Sequence, residues 1–400
     1  GCIDSDGDTV FDNEDDCVNG TEGWTSNATL DYDSDGCLDE SFWARANKAG
    51  HTSGDEVSSM TMDEYGNTYI VGNTNGNSGM AFGNISVTFT YGNPFYVAKL
   101  SANNTWEWVE LGGTFPSTGG GSVNDLRVTM NSDGDLIVAG RYSVSSGTMY
   151  IGSTSLSSSF TTFVASMDTS GNWTWAEVAG ASGTSAFVGE IVAGTSGETY
   201  VTGHYYGGPM YFGSHTLSSR SKGTVFVAKI DRNGTWDWAE RSSGNGEIAS
   251  NPSTSLTIDN NGNLYVVGRY AHGGPGYGNS VTFGSNSLST SHSLFYLFVA
   301  KMTSSGSWSW ATKAGGEPHS TTQSNGYRWA YGHFDSAPIR ISSYGNSIFV
   351  SSSFMNNVSF GSSITNIIAN GSQNDIVVAK ISNSGSWLWA KPFGSSMQDS

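Results

Sequence analysis

Short apolar runs alternating with a period of two recur along this chain, and Gly, Asn or Ser closes each of them. One kind of run reads GNTYIVG (66–72), GDLIVAG (134–140), GETYVTG (197–203) and GNLYVVG (262–268), with GNSIFVS (345–351) as a fifth version in which Ser351 stands for the last Gly. A second kind ends near Lys: FYVAKL (95–100), FVASM (163–167), FVAKI (226–230), FVAKM (298–302) and IVVAKI (376–381). A turn follows, and then Trp-x-Trp at Trp106/Trp108, Trp173/Trp175, Trp236/Trp238, Trp308/Trp310 and Trp387/Trp389, spaced 67, 63, 72 and 79 residues apart. A short β run (SSMTMD, LRVTMN, EIVAGT, SLTIDN, IRISSY) precedes each set. Period-two alternation bounded by Gly and Asn-Gly predicts four strands per unit, here a to d, joined by tight turns. The pattern therefore predicts five copies of one four-stranded unit.

Between strands b and c lies a variable stretch, usually holding a Phe-Gly pair (Phe82, Phe212, Phe283, Phe360), and it reads as a surface loop or small hairpin. Residues i and i+2 of a strand share a face. Both tryptophans of each pair are therefore expected on one face of strand d, as packing between sheets rather than as a sugar-stacking ladder; Trp24 and Trp329 fall outside the pattern. Four-strand units repeated radially build a β-propeller. The copies, such as DNNGNLYVVG followed by FVAKMTSSGSWSWATKAGG, resemble the SBBP β-propeller repeats of secreted and surface proteins of bacteria and archaea. The resemblance runs over residues 43–400 and implies an all-β propeller of four-stranded blades, but no single activity. Ser41–Arg45 resembles a further strand d with no a to c before it. It is expected to complete a blade of a longer parent protein, to pair with a neighbouring subunit by strand addition, or to cap an edge.

Composition changes the picture at one end only. The chain has 400 residues and a formal charge of −18, yet charged residues make up only 13%. Thirteen of the 35 acids lie in residues 1–40, where there is no Lys or Arg; the remaining 22 face 17 bases. The acidity is thus local and calls for a cation, whereas nucleic acid lacks a basic patch to bind. No apolar run reaches the length of a membrane-spanning helix, no signal peptide is visible, and the opening Gly reads as a mature or excised piece.

Within DSDGDTVFDNEDDC (4–17), Asp4, Asp6, Asp8, Asp12 and Asp15 alternate so that a curling loop converges on one ion, with the Val10 carbonyl filling in. Six to eight oxygens at relaxed geometry suit Ca²⁺. A second, incomplete set comprises Asp31, Asp33, Asp35 and Asp39, with Phe42 where a last Asp is expected. Residues 1–42 resemble thrombospondin type 3 calcium repeats, departing from them at Thr9, where that family usually has Gly. The resemblance implies a disulfide between Cys17 and Cys37; Cys2 is then left over, with a partner upstream or with Cys17 as its alternative mate. Candidate glycan acceptors are Asn19, Asn27, Asn84, Asn103, Asn172, Asn233, Asn357 and Asn370.

No Gly-x-Ser-x-Gly elbow, HExxH or Walker loop is present. The seven histidines are scattered, although His204 and His272 follow strand b closely. Asp55, Asp125, Glu190 and Asp335 near strand a fall at four different offsets. The expectation is a non-enzymatic, calcium-stabilised extracellular or cell-surface protein, structural or adhesive, with segment 1–42 before a propeller at 43–400. Its partners are expected to be glycans or other surface proteins. The alternatives are a filament or surface-layer subunit assembled by strand exchange and, after that, a carbohydrate-active enzyme.

Overall fold

The structure, a computed structural model, describes residues 5, 9–10, 25–26, 49–50, 56–74, 79–115, 121–144, 148–157, 161–218, 220–248, 254–271, 279–290, 295–316, 333–334, 339–345, 347–369 and 374–394. The chain divides into two compact units, Gly1–Ala49 and Gly50–Ser400. Few residues of the first are described, but Thr9 is one of them, and its φ of 85° lies where glycine is favoured. A β-branched residue rarely accepts that conformation. Thr9 thus holds a left-handed conformation that glycine would adopt without strain.

The second unit is a β-propeller array, and no helix occurs among the described residues. The first sheet orders Glu56–Met62, Thr68–Asn73, Phe95–Leu100 and Trp106–Gly112 as a-b-c-d, every neighbour antiparallel. The second orders Gly121–Met130, Leu136–Val144, Thr162–Met167 and Trp173–Gly180. In the third the strands are Thr184–Ala193, Thr199–Gly207, Arg220–Ile230 and Trp236–Arg241. Strand a of the last two sheets comes in two pieces, Glu247–Ile248 with Thr254–Ile258 and His333–Phe334 with Arg340–Tyr344. Their b, c and d strands are Leu264–Ala271, Tyr296–Met302 and Trp308–Gly316, then Ser347–Met355, Asp375–Ser382 and Trp387–Phe393.

Apolar residues on both faces of b and c make four cores, one between each successive pair of sheets. Tyr69, Val71 and Val97 of the first sheet meet Leu136, Val138 and Phe163 of the second. Ile137, Ala139 and Val164 then meet Val201, Phe226 and Ile230 of the third. The next two junctions repeat the arrangement. Strand c of the second sheet is therefore buried at every position, as a strand covered on both faces must be. Strand c of the fifth sheet instead alternates buried and half-buried, and Leu388 and Phe393 of its strand d are exposed. The outward face of the fifth sheet is thus only partly covered.

Each Trp-x-Trp straddles a register shift. Strand c residues Ser166 and Met167, neighbours in sequence, pair with Trp175 and Trp173, and the same shift recurs in all five sheets. A bulge moves register by one residue, and one residue flips the face. The two indoles therefore point to opposite faces, which corrects the expectation that they share one. The first Trp lies under its own b–c hairpin: Phe212, Phe283 and Phe360 each sit 4.9 Å from Trp236, Trp308 and Trp387. The second reaches forward. Trp108, Trp175, Trp238 and Trp310 donate from Nε1 to the c–d turn of the next sheet, at the carbonyls of Thr169, Arg232, Ser304 and Asn383, over 2.9–3.2 Å.

The variable b–c stretch is a hairpin that adds to the preceding sheet. Met210–Phe212 pairs with strand d of the second sheet, and Asn357–Phe360 with that of the fourth. Met80–Phe82 forms such a hairpin with Ile85–Val87, while Ser41–Arg45, the expected extra strand, lies outside the described residues.

One repeat position is corrected. Gly72, Gly140, Gly203 and Gly268 pair with Tyr96, Phe163, Phe226 and Phe298, and the rings of the first three stand where a Cβ on the glycine would lie. In the fifth sheet the residue at this place is Ser352, opposite Val377, rather than Ser351. The a–b turn there is tighter, with Tyr344 pairing directly with Ser347, and this shifts the alignment by one. With no aromatic ring opposite, glycine is no longer required.

Candidate functional site

Strand a is broken at the level of that glycine in every sheet. Register slips between Val57 and Ser59, between Asn124 and Arg127, and between Val188 and Glu190; in the fourth and fifth sheets strand a is split at the same height. Bulges re-aim side chains and concentrate at binding edges. Strands a of successive sheets touch one another, so these breaks lie side by side along the inner edge.

Just before the break, three homologous cross-strand pairs stand together: Glu56 with Asn73, Asn124 with Arg141, and Phe187 with His204. All six line one cleft of about 420 Å³. Arg141 donates from Nε to Asp125 Oδ2 over 2.9 Å. Asp125 holds this place at a φ of 55°, a left-handed conformation that Asp tolerates better than most residues. The Phe187 ring has the Arg141 guanidinium 4.5 Å away and the His204 ring stacked at 4.6 Å and 6°.

His204 is buried, and its Nε2 has no hydrogen-bond partner among the described residues; the Oδ1 of Asn73 is likewise buried without one among them. Burial pushes the His204 imidazole down to about 4, and the charge of Arg141 adds to the effect, so the ring is neutral at pH 7. Arg127 donates from Nε to Gly189 O and from Nη1 to Leu126 O, each at 2.8 Å, and stands 3.9 Å from Glu190. Burial lifts the Glu190 carboxyl above the usual glutamate range, against the pull of the Arg127 and Arg340 guanidiniums.

Of the acids picked out near strand a, Asp125 and Glu190 lie at neighbouring breaks, while Asp55 and Asp335 lie outside the described residues. Sequence reasoning missed Asn73 and Arg141. They follow the strand b glycine as His204 does, and aligning the copies on that glycine is the signal that finds them. Of the calcium set, Val10 is described and half-buried; Asp4, Asp6, Asp8, Asp12, Asp15, Asp31, Asp33, Asp35, Asp39, Cys17 and Cys37 lie outside the described residues, as do Trp24 and Trp329. Asn84, Asn103, Asn172 and Asn233 are exposed at turns or strand ends, Asn357 is buried in a strand, and Asn19, Asn27 and Asn370 lie outside. No metal-holding group of His, Cys, Asp or Glu occurs among the described residues.

The family model of the SBBP β-propeller repeat matches residues 49–79. Among curated proteins, none matches the chain. Solved structures do. A protein of unknown function from Dyadobacter fermentans is 12% identical, with 86% of this chain and 94% of that one covered at a TM-score of 0.39. The α-L-arabinanase of Penicillium chrysogenum, solved with arabinobiose, is 11% identical, with 84% and 92% covered and a TM-score of 0.39. A Hadza microbial sialidase is 11% identical, with 84% and 58% covered and a TM-score of 0.41. At such identities the likeness is one of fold alone. Propellers similar to it include an arabinanase and a sialidase, which stands against the expectation that the chain is not an enzyme.

Proposed function

We propose that this chain is an extracellular or cell-surface repeat protein whose propeller is an interaction platform for glycan or protein. Its binding site is the cleft of the first three sheets. Calcium orders the acidic first unit. The observation that carries the reading is the convergence of three homologous cross-strand pairs on one cleft in which His204 Nε2 and Asn73 Oδ1 have no partner among the described residues. Buried polar atoms are nearly always satisfied, so unpaired ones beside a cleft favour a ligand that pairs them. Screening the full chain against glycan and peptide libraries, alongside Arg141→Ala, tests it; binding that Arg141→Ala leaves untouched counts against the cleft. For the first unit, the spacing of Asp4, Asp6, Asp8, Asp12 and Asp15 supports calcium, and the glycine-like φ of Thr9 fits the turn such a loop needs.

Two observations favour other readings. Glu190, beside Gly189 in the cleft wall, is a carboxyl that burial makes easier to protonate, which suits a proton donor of a carbohydrate-active enzyme. Release of reducing sugar, abolished in Glu190→Gln, would support that. The half-covered outward face of the fifth sheet favours a filament or surface-layer subunit in which a second copy covers it. Light scattering and electron microscopy that find only monomers at every concentration would sink this idea.

A further inference from the structure

Resting on the cleft as the binding site, we infer that its ligand is a neutral saccharide, held by hydrogen bonds from the three homologous pairs rather than by charge or by an aromatic anchor. The first ground is charge. Among the described residues the cleft is lined by two carboxylates, Glu56 and Asp125, and two guanidiniums, Arg127 and Arg141. Neither guanidinium is unspent: Arg141 is paired with Asp125, and Arg127 with two carbonyls and Glu190. The neutral His204 adds no charge. An anionic sugar would leave water and meet no free counter-charge, a costly exchange.

The second ground is what remains unpaired. Asn73 Oδ1 is an acceptor, and His204 Nε2 accepts or donates according to its tautomer. A hydroxyl group does both, so a polyol satisfies either state of the ring.

The third ground is the lack of a free aromatic anchor among the described lining residues. Peptide recognition leans on buried aromatic anchors. The phenyl ring of the described lining, Phe187, already has Arg141 and His204 against it, and the exposed apolar surface beside it is the small Val57. A volume of about 420 Å³ lies within the range of small-ligand sites and leaves room for a short segment of a sugar chain.

The test is titration calorimetry of the full chain with neutral oligosaccharides, with uronate or sialylated oligosaccharides, and with peptides, comparing wild type with Asn73→Ala, His204→Ala and the gentler His204→Gln. Circular dichroism confirms folding of each variant. Expected is saturable binding of a neutral oligosaccharide, weakened about five- to tenfold in Asn73→Ala and in His204→Ala, the loss of one hydrogen bond each. Preference for acidic sugars or for peptides, still weakened by Asn73→Ala, overturns the saccharide assignment and leaves the cleft reading standing. Binding of any of these that Asn73→Ala and Arg141→Ala both leave unchanged overturns the cleft reading itself.

Discussion

Gly203 is the sharpest test of how the break in strand a is held. A Cβ built there would lie 2.0 Å from the Phe187 carbonyl oxygen and 2.7 Å from Phe226 Cε1. The ring is a side chain and can give way, but the carbonyl belongs to the bulged strand, so relief requires strand a to separate from strand b. Overpacking of this kind costs about 1–3 kcal/mol, and a backbone clash sits at the upper end, so about 3 kcal/mol is expected for Gly203→Ala. Gly134 is the control. Its φ is 88°, but a Cβ there meets nothing within 4 Å. Gly134→Ala therefore carries only the left-handed backbone penalty, about 1–2 kcal/mol. Urea unfolding of the full chain, followed by tryptophan fluorescence, should rank the two variants in that order. Adding Phe226→Ala to Gly203→Ala should not rescue stability, because the Phe187 carbonyl remains. A Gly203→Ala protein within 0.5 kcal/mol of wild type, or one less affected than Gly134→Ala, would refute the reasoning.

Other consequences follow from the same geometry. Trp310→Phe removes the Nε1 bond to Asn383 O that ties the fourth sheet to the fifth, and should cost about 1 kcal/mol in the same assay. His204 titrates lower folded than its ordinary value of 6.5, so the unfolded chain takes the proton first; stability present above pH 6.5 is lost as pH falls towards 4, by about 3 kcal/mol. His204→Asn should flatten that part of the pH profile, and a slope unchanged by the substitution would assign it to other groups. Removing calcium with a chelator should speed proteolysis within residues 1–42 while leaving the propeller intact; equal rates with and without calcium would remove the metal from the account.

Much of the fold was legible because its signals are local. Period-two runs, Gly and Asn-Gly punctuation and the Trp-x-Trp beat each report on a few neighbouring residues, and four strands per copy follow from them. What stayed hidden depended on pairing. The bulge that sends Trp173 and Trp175 to opposite faces leaves no mark in the run WTW itself, since period two alone puts them together. The shift of the fifth strand b came from a turn only two residues long between Tyr344 and Ser347, which shared glycines in the sequence concealed. The cleft was hidden for the opposite reason: its residues occupy one repeat position but differ in each copy. Asn73, Arg141 and His204 look unrelated by residue type, although each follows the strand b glycine and strand register stacks them. A repeat fold reveals its scaffold through what recurs and its site through what does not.

The central claim is that ligand binding takes place where those three residues meet. A structure of the chain soaked or mixed with the oligosaccharide that binds it in solution tests this most directly. The account predicts ligand density between Asn73, Arg141 and His204, with a hydroxyl group within hydrogen-bond reach of His204 Nε2. Density at the c–d turns or on the outward face of the fifth sheet, with this cleft holding solvent alone, would contradict it.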